Sequence, residues 1–127
     1  MTKLELCKCW QSKLRLDDWQ ITFYPEAKST EFIDPYGQGE VSYNEVIKCA
    51  TIRIVDENCV NEKDLYKPFN FEKTLIHELL HLKLCLFDNN GNDLQSRYVH
   101  QIIEELANAF MEEKRQWPNL NMIYRNI

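Results

Sequence analysis

The sequence has few of the residues that mark linkers and low-complexity segments, with three glycines and four prolines among 127 residues. It has no uninterrupted apolar stretch close to the roughly 20 residues that a membrane-spanning helix needs. The amino terminus, MTKLELCKCWQSK, is broken by charges and lacks the apolar run of a signal peptide. We therefore expect one domain over residues 1–127 that is cytoplasmic and does not contact a membrane.

Excess positive charge is also missing. Fifteen Lys and Arg stand against twenty Asp and Glu, which gives a formal net charge of −5 at pH 7. Such a chain has no general attraction for a phosphate backbone, so nucleic acid is not an expected partner. We expect a monomer.

A paired set of cysteines is absent as well, because the chain has five. Cys7 and Cys9 are separated by one residue, whereas a structural zinc pair usually has two to four residues between its cysteines. No second close pair follows them. We expect reduced thiols, several of them packed as small hydrophobic side chains, rather than a cysteine metal site.

Hydrophobic periodicity predicts a compact α+β domain with an N-terminal helix, a small twisted sheet of about three or more strands, a motif helix and a long C-terminal helix. Pro25 should stop the first strand, and the second and third strands should form a hairpin. Trp117-Pro118 should end the last helix, and the tail after about residue 117 is left unassigned. The predicted helices run from Thr2 to Lys13, from Phe71 to about Phe87 with Asn70 as N-cap and Asn89-Asn90-Gly91 as closing turn, and from the cap Asn92 to Gln116. The predicted strands are Trp19–Phe23, Gly39–Tyr43 and a segment from Val46 to Val55 that alternates over Ala50–Val55.

The pattern His77-Glu78-Leu79-Leu80-His81 carries the clearest chemistry. Residues four apart on a helix share one face, about 5–6 Å from each other, so both imidazoles can bind one metal ion. Glu78 projects beside them and can reach a metal-bound water without being a ligand. This arrangement is typical of a zinc site in which a glutamate acts as general base.

A buried helix with two hydrogen-bonded histidines is the alternative interpretation of the same pattern. The helix around the motif is rich in leucine and apolar on nearly every face, as expected of a central helix. Two histidines and a carboxylate there cost several kcal/mol unless they are paired or bound to a metal. This cost favours the metal site.

His100, the third of three histidines, is the predicted third ligand, since catalytic zinc takes three protein ligands and one open position. We expect it on the buried face of the last helix, with Ile103 and Ala107, where that helix runs antiparallel beside the motif helix. Glu104, one turn further on, is either an alternative third ligand or a hydrogen-bond acceptor for a ligating histidine. Glu105 should face solvent.

The segments DWQITF, GEVSYNEVIKCATIRI, TLIHELLHL and HQIIEELANAF resemble small HExxH zinc metallopeptidase-like proteins of phages and prophages. They also look like the zincin core of SprT-like and minigluzincin proteins. In those relatives the last helix begins with a glutamate, and here His100 occupies that place. HExxH with a distant histidine is SprT-like, whereas HExxH with a glutamate is gluzincin-like. The resemblance spans roughly residues 14–110, and only HELLH is a specific motif.

The resemblance implies a hydrolase that binds Zn²⁺ through His77, His81 and His100 and cleaves a peptide or protein substrate, with Glu78 moving the proton of the attacking water. It also implies that an extended peptide lies along an edge strand, either Gly39–Tyr43 or Ala50–Val55. Candidate donors to the tetrahedral oxyanion are Tyr43, Tyr98 and Tyr124, although packing roles suit each of them better.

Two other functions compete with the metallopeptidase. A non-catalytic binding protein could use the same zinc for stability, and its site should be closed by a fourth ligand such as Glu104 or a cysteine. A small helical interaction module would need no metal, but it leaves three imidazoles unexplained. Glu78 beside the metal argues against a purely structural site.

Overall fold

A computed structural model describes residues 1–33, 37–59, 68–87 and 93–125, with the side chains of Ser29, Asp93 and residues 116–125 left out. These residues form three α-helices and a three-stranded mixed sheet, which confirms the predicted α+β class. The helices are α1 (Lys3–Lys13), α2 (Phe71–Lys83) and α3 (Asp93–Arg125), the strands are β1 (Gln20–Ala27), β2 (Gly39–Asn44) and β3 (Cys49–Val55), and short 3₁₀ turns cover Ser29–Glu31, Glu57–Cys59 and Cys85–Phe87.

The sheet has the strand order β1-β3-β2, so β3 is central and β2 lies at an edge of the described sheet. β2 and β3 pair antiparallel, which confirms the predicted hairpin, and β1 pairs parallel with β3. The prediction that Pro25 stops the first strand is wrong, because β1 continues to Ala27. Among the described strands, β1 pairs with β3 alone, and its register with β3 shifts between Tyr24 and Ala27, so a residue without an N–H is accommodated.

α1 begins where the sequence predicts. The Thr2 hydroxyl accepts a hydrogen bond from the Glu5 amide at 3.1 Å, which satisfies one of the unpaired N–H groups of the first turn. Cys7 and Trp10 point into the core. The Trp10 indole N–H donates to Glu72 of α2 at 2.8 Å, so a directional bond joins the two helices.

α2 is the central helix of the domain. Asn70 caps it as predicted, accepting from the Lys73 amide at 3.1 Å. The helix ends at Lys83 rather than near Phe87, because the Leu84 amide bonds to Leu80 and Leu82 and the chain tightens into a 3₁₀ turn. Phe87 and its neighbour Leu86 are therefore exposed, and the expectation that they belong to a buried helix is wrong. The predicted closing turn at 89–91 lies outside the described residues.

α3 packs antiparallel against α2. Later residues of α3 contact earlier residues of α2. His77 lies by His100, Lys73 by Glu104, and Glu72 by Lys114. α3 continues to Arg125, so the predicted end at Gln116 is wrong. A proline removes one helical hydrogen bond without having to end the helix. The proposed cap Asn92 lies outside the described residues.

The core lies between the sheet and α2, with α1 and α3 packed against α2. All five cysteines are free thiols, and Cys7 and Cys85 are buried as small hydrophobic residues, in agreement with the prediction. In the described part of the chain, no helix combines the length and the apolar character needed to cross a bilayer. The fully buried side chains are Ile52, Ile54, Leu75, Ile76, Leu79, Leu82 and Ile103.

Candidate metal centre

Three histidines meet between α2 and α3. His77 and His81 are one turn apart on α2, and their ring centroids are 4.9 Å apart. The ring of His100, from α3, lies 5.0 Å from His77 and 5.4 Å from His81. One ring nitrogen of each histidine lies within 4.8 Å of the other two. The three predicted ligands are therefore neighbours in the fold.

The spacing of two of these nitrogens suits a zinc ion. Nε2 of His77 and Nε2 of His81 are 3.2 Å apart. Two nitrogens that each lie about 2.0–2.1 Å from a tetrahedral zinc ion are about 3.3 Å from each other. Without a metal, the same distance accommodates one shared proton. The spacing of the two nitrogens from α2 thus fits a zinc ion without rearrangement of that helix.

His77 is half-buried, and its environment keeps the ring neutral. Burial lowers the pKa of His77 below its ordinary value of 6.5, and the nearby His100 lowers that pKa further, while Glu104 opposes both effects. A metal ligand must be the neutral imidazole. At neutral pH, His77 is therefore in the protonation state that metal binding requires.

Glu104 contacts the Nδ1 side of the His77 ring. Its Oε2 lies 3.1 Å from Nδ1 of His77, and its Oε1 lies 2.8 Å from Nζ of Lys73. A carboxylate can only accept, so Nδ1 carries the proton and Nε2 has the lone pair that a metal needs. Glu104 is thus the acceptor for a candidate ligand, and it is not among the three residues whose donor atoms cluster.

His100 is exposed, which contradicts the expectation that it lies on the buried face of the last helix. The buried stripe of α3 consists of Val99, Ile103 and Ala107. His100 lies beside this stripe, on the face of α3 that opens onto a cleft rather than onto the core. Glu105 is exposed, as predicted, and accepts from Gln101 at 3.4 Å.

Glu78 is the most deeply buried carboxylate of the site, with 7% of its surface exposed. Burial raises the pKa of Glu78 to about 8, and the charge of Glu40 adds to the increase. A carboxyl group with a pKa near neutrality can both take up and release a proton at physiological pH. Glu78 thus lies in the cleft beside the histidines, and its role as a general base, which requires the ionised carboxylate, stays a prediction.

Strand β2 approaches α2 so closely at Gly39 that a side chain does not fit. A Cβ added there would lie 2.8 Å from Cγ2 of Thr74 and 3.1 Å from Cγ of Glu78. Contacts under 3.0 Å are essentially never found for a real Cβ, so a larger residue requires a shift of β2 or α2. The glycine lets the strand lie directly over the motif helix.

A cleft of about 480 Å³ lies between β2 and the two helices. Of the two strands considered for peptide binding, Ala50–Val55 is excluded, because it forms β3 and is paired on both edges. Tyr43 lines the cleft, whereas Tyr98 lines a separate apolar groove, and the side chain of Tyr124 is outside the described residues. The cleft is lined by Gln38, Gly39, Glu40, Val41, Tyr43, Pro68, Asn70, Lys73, Thr74, His77, Glu78, His81, His100 and Glu104.

Two residues of the site were missed by the sequence reasoning. Lys73 pairs with Glu104, and Gly39 permits the close approach of β2. Lys73 could have been found, because it precedes His77 by four residues and so shares its helical face. Gly39 gives no such signal, since its importance depends on a helix that follows more than thirty residues later in the chain.

Comparisons of this chain with protein-family models, with curated proteins and with solved structures give no match.

Proposed function

We propose that the protein is a small zinc-dependent metallopeptidase with a zincin-like arrangement of its motif helix and edge strand. The observation that carries the proposal is the convergence of three histidine nitrogens within 4.8 Å of one another, in a cleft that also holds the buried carboxylate of Glu78. A histidine cluster alone would suggest a metal site of any kind. The adjacent carboxylate, buried in the same cleft, gives the site the second element of hydrolytic chemistry.

His77, His81 and His100 would hold the metal, and Glu104 would keep His77 in the tautomer that binds it. Bound zinc would supply a Lewis acid that polarises the scissile carbonyl and lowers the pKa of a water molecule towards about 7. Glu78 takes the proton of the attacking water and returns it to the departing amine. Its burial beneath β2 keeps bulk water away from this proton transfer.

The substrate would bind as an extended peptide beside β2. The Val55 amide donates a hydrogen bond to the Gln38 carbonyl. Along an antiparallel strand, every second residue directs its N–H and C=O groups towards the partner strand, so Gln38 and every second residue after it face β3. Gly39 and Val41 therefore direct their N–H and C=O groups towards the outer edge of the strand, above the cleft. A peptide that pairs with these groups would cross the cleft close to the histidines.

A zinc-stabilised binding protein is the second candidate, and the composition of the ligand cluster argues against it. Structural zinc sites are closed by four protein ligands. Within the described ranges, the cluster has three residues, and neither Glu104 nor a cysteine completes it. Three ligands leave one coordination position for water or substrate, as hydrolysis requires.

The test begins with zinc content, measured by elemental analysis of the purified protein after incubation with zinc. We expect about one zinc ion per chain. His77→Ala and His100→Ala should lose it, and Glu104→Ala should keep it at saturating zinc. Failure of the unmodified protein to bind zinc would refute the proposal.

Catalysis is tested separately, with a mixture of unstructured peptides analysed by mass spectrometry. Glu78→Gln is the matched variant, because it preserves the shape of the side chain and all three histidines. It should bind zinc normally and cleave at least 100-fold more slowly, since a positioned general base contributes about 10²–10⁴-fold. If the zinc-loaded protein cleaves nothing, or if Glu78→Gln cleaves equally well, the non-catalytic binding protein becomes the better explanation.

A further inference from the structure

α3 has a second apolar stripe, separate from the one that packs in the core. Leu94, Tyr98, Ile102 and Leu106 recur every four residues, and 61%, 59%, 47% and 37% of their surfaces are exposed. Phe87, from the turn that follows α2, is 62% exposed and lines the same groove as Leu94, Tyr98 and Ile102. We call these five residues the outer stripe.

The outer stripe does not belong to the candidate metal centre. His100 follows Tyr98 by two residues, so it lies about 200° further around the helix axis, close to the opposite side. The core-facing side of α3, with Val99, Ile103 and Ala107, lies between these two directions. Neither hydrolysis nor packing of the domain therefore accounts for the exposure of the outer stripe.

The size of the outer stripe matches one half of a small protein interface. An aromatic side chain presents about 150–250 Å² when fully exposed, and Leu and Ile lie near the lower end of that range, so the exposed fractions of these five residues amount to roughly 500 Å². Two such surfaces would bury roughly 1,000 Å² in total, near the lower limit for a specific interface. Patches of this size on single chains are often interaction sites.

In place of the monomer expected from the sequence, we propose that the outer stripe binds the outer stripe of a second copy of this chain, with the two α3 helices antiparallel around a two-fold axis at the level of Gln101. Helical rise then places Tyr98 between Ile102 and Leu106 of the partner subunit. Ile102 falls between Tyr98 and Ile102 of the partner subunit, and Leu106 falls between Leu94 and Tyr98 of the partner subunit. Every side chain of the inner part of the stripe thus faces a gap rather than another side chain, as in ridges-into-grooves packing.

The same axis also matches opposite charges. Arg97 and Glu105 are four residues before and four residues after Gln101, so Arg97 of each copy is level with Glu105 of the partner subunit. Both residues are exposed. Exposed ion pairs add little affinity, but like charges at these positions would oppose the pairing. The charges therefore favour this antiparallel register over shifted ones.

In this dimer the two histidine clusters face away from the interface, because His100 lies nearly opposite Tyr98 on α3. Both clefts stay accessible to an extended peptide. The proposal is independent of the proposed function, since it requires neither zinc nor catalysis.

The test is the mass of the full chain in solution, measured by sedimentation velocity from about 5 to about 500 μM, a range that covers the micromolar affinity expected for so small an interface. We expect a concentration-dependent shift from the chain mass of 15.2 kDa to twice that mass. If the chain is monomeric over the whole range, the proposal is wrong, and the outer stripe would instead be a binding surface for a different protein.

Variants locate the interface. Tyr98→Glu and Ile102→Glu should abolish the dimer, whereas Tyr24→Glu, at a tyrosine of similar exposure on β1, should not change it. Circular dichroism and a cooperative urea unfolding transition would verify that each variant is folded. A dimer that survives both stripe variants overturns the assignment of the interface.

The charge pair tests the orientation. Arg97→Glu and Glu105→Arg should each weaken the dimer by several-fold, and the double variant should restore it, because it exchanges the two charges across the interface. A double variant that is at least as weak as the single ones overturns the antiparallel arrangement.

Discussion

Oε2 of Glu104 lies 3.1 Å from Nδ1 of His77, and Oε1 of the same carboxylate lies 2.8 Å from Nζ of Lys73. Glu104 is thus held from both sides, by a lysine and a histidine that are one turn apart on α2. The lysine offsets the charge of the carboxylate, and the carboxylate fixes the proton of His77 on Nδ1. Two neighbouring helices are therefore joined at the ring that carries a candidate ligand nitrogen.

Removal of Glu104 should weaken zinc binding without abolishing it. We expect Glu104→Ala to lower zinc affinity about 10- to 100-fold, because His77 loses the acceptor that fixes its orientation and tautomer. Lys73→Met should have a smaller effect in the same direction. Competition with a chromogenic zinc chelator measures both, and Glu105→Ala is the control at an exposed neighbour. Complete loss of zinc in Glu104→Ala would instead identify Glu104 as a ligand.

The close approach of β2 and α2 should make Gly39 intolerant of substitution. Gly39→Ala introduces a contact of 2.8 Å with Cγ2 of Thr74, and we expect it to destabilise the fold by about 1–3 kcal/mol. Thr74→Ser removes that methyl group and keeps a hydroxyl that can bond to the Asn70 carbonyl. The double variant should therefore recover part of the loss. Urea unfolding measures the three changes, and Ser42→Ala, at an exposed position of the same strand, serves as control. No recovery in the double variant would show that the contact with Thr74 is not the cause.

The buried carboxyl of Glu78 should make the stability of the metal-free protein dependent on pH. Its pKa is raised from 4.5 to about 8 in the folded state, so between these values the folded chain binds more protons than the unfolded chain. The free energy of unfolding therefore falls as pH rises from about 4.5 to about 8. Glu78→Gln removes this titration. It should therefore change the free energy of unfolding, relative to the unmodified chain, more favourably at pH 8 than at pH 5, and the difference between the two changes should be on the order of a few kcal/mol. Urea unfolding in the presence of a chelator tests this, with Glu112→Gln as an exposed control. Equal effects of Glu78→Gln at the two pH values would contradict it.

The cysteines should differ sharply in reactivity. Burial raises the pKa of Cys7 to about 11, so little reactive thiolate is present at neutral pH, whereas Cys59 is exposed. Under native conditions we expect iodoacetamide to modify Cys59 quickly and Cys7 only after unfolding. Mass spectrometry of the digested protein identifies the modified residue, and Cys59→Ser should lose the fast reaction. Rapid modification of Cys7 in the native protein would mean that α1 does not pack as described.

Local signals in the sequence were sufficient for the elements whose ends depend on neighbouring residues. The caps Thr2 and Asn70 lie where the side-chain pattern predicts, and the β2–β3 hairpin follows from two adjacent alternating segments. The end of β1 was predicted wrongly, because the effect of Pro25 depends on whether the strand has one partner or two. That information comes from β3, later in the chain.

The sequence likewise predicted only part of the candidate site. The helical spacing of His77 and His81 required no knowledge of the fold, whereas the roles of His100 and Glu104 could not be separated from sequence. They are four residues apart on one helix. Only the packing of α3 against α2 brings His100 into the nitrogen cluster and places Glu104 at Nδ1 of His77. The exposure of His100 likewise depends on the cleft, which β2 forms with the helices.

The central position of β3 sets the order in which the sheet can assemble. β2 and β3 are joined by a short turn and can pair early, but Gln20 pairs with Cys49, so β1 must close a loop of nearly thirty residues and has no partner until β3 has formed. β1 therefore pairs only after the hairpin has formed. Pulsed hydrogen exchange during refolding should show amide protection in β2 and β3 before β1.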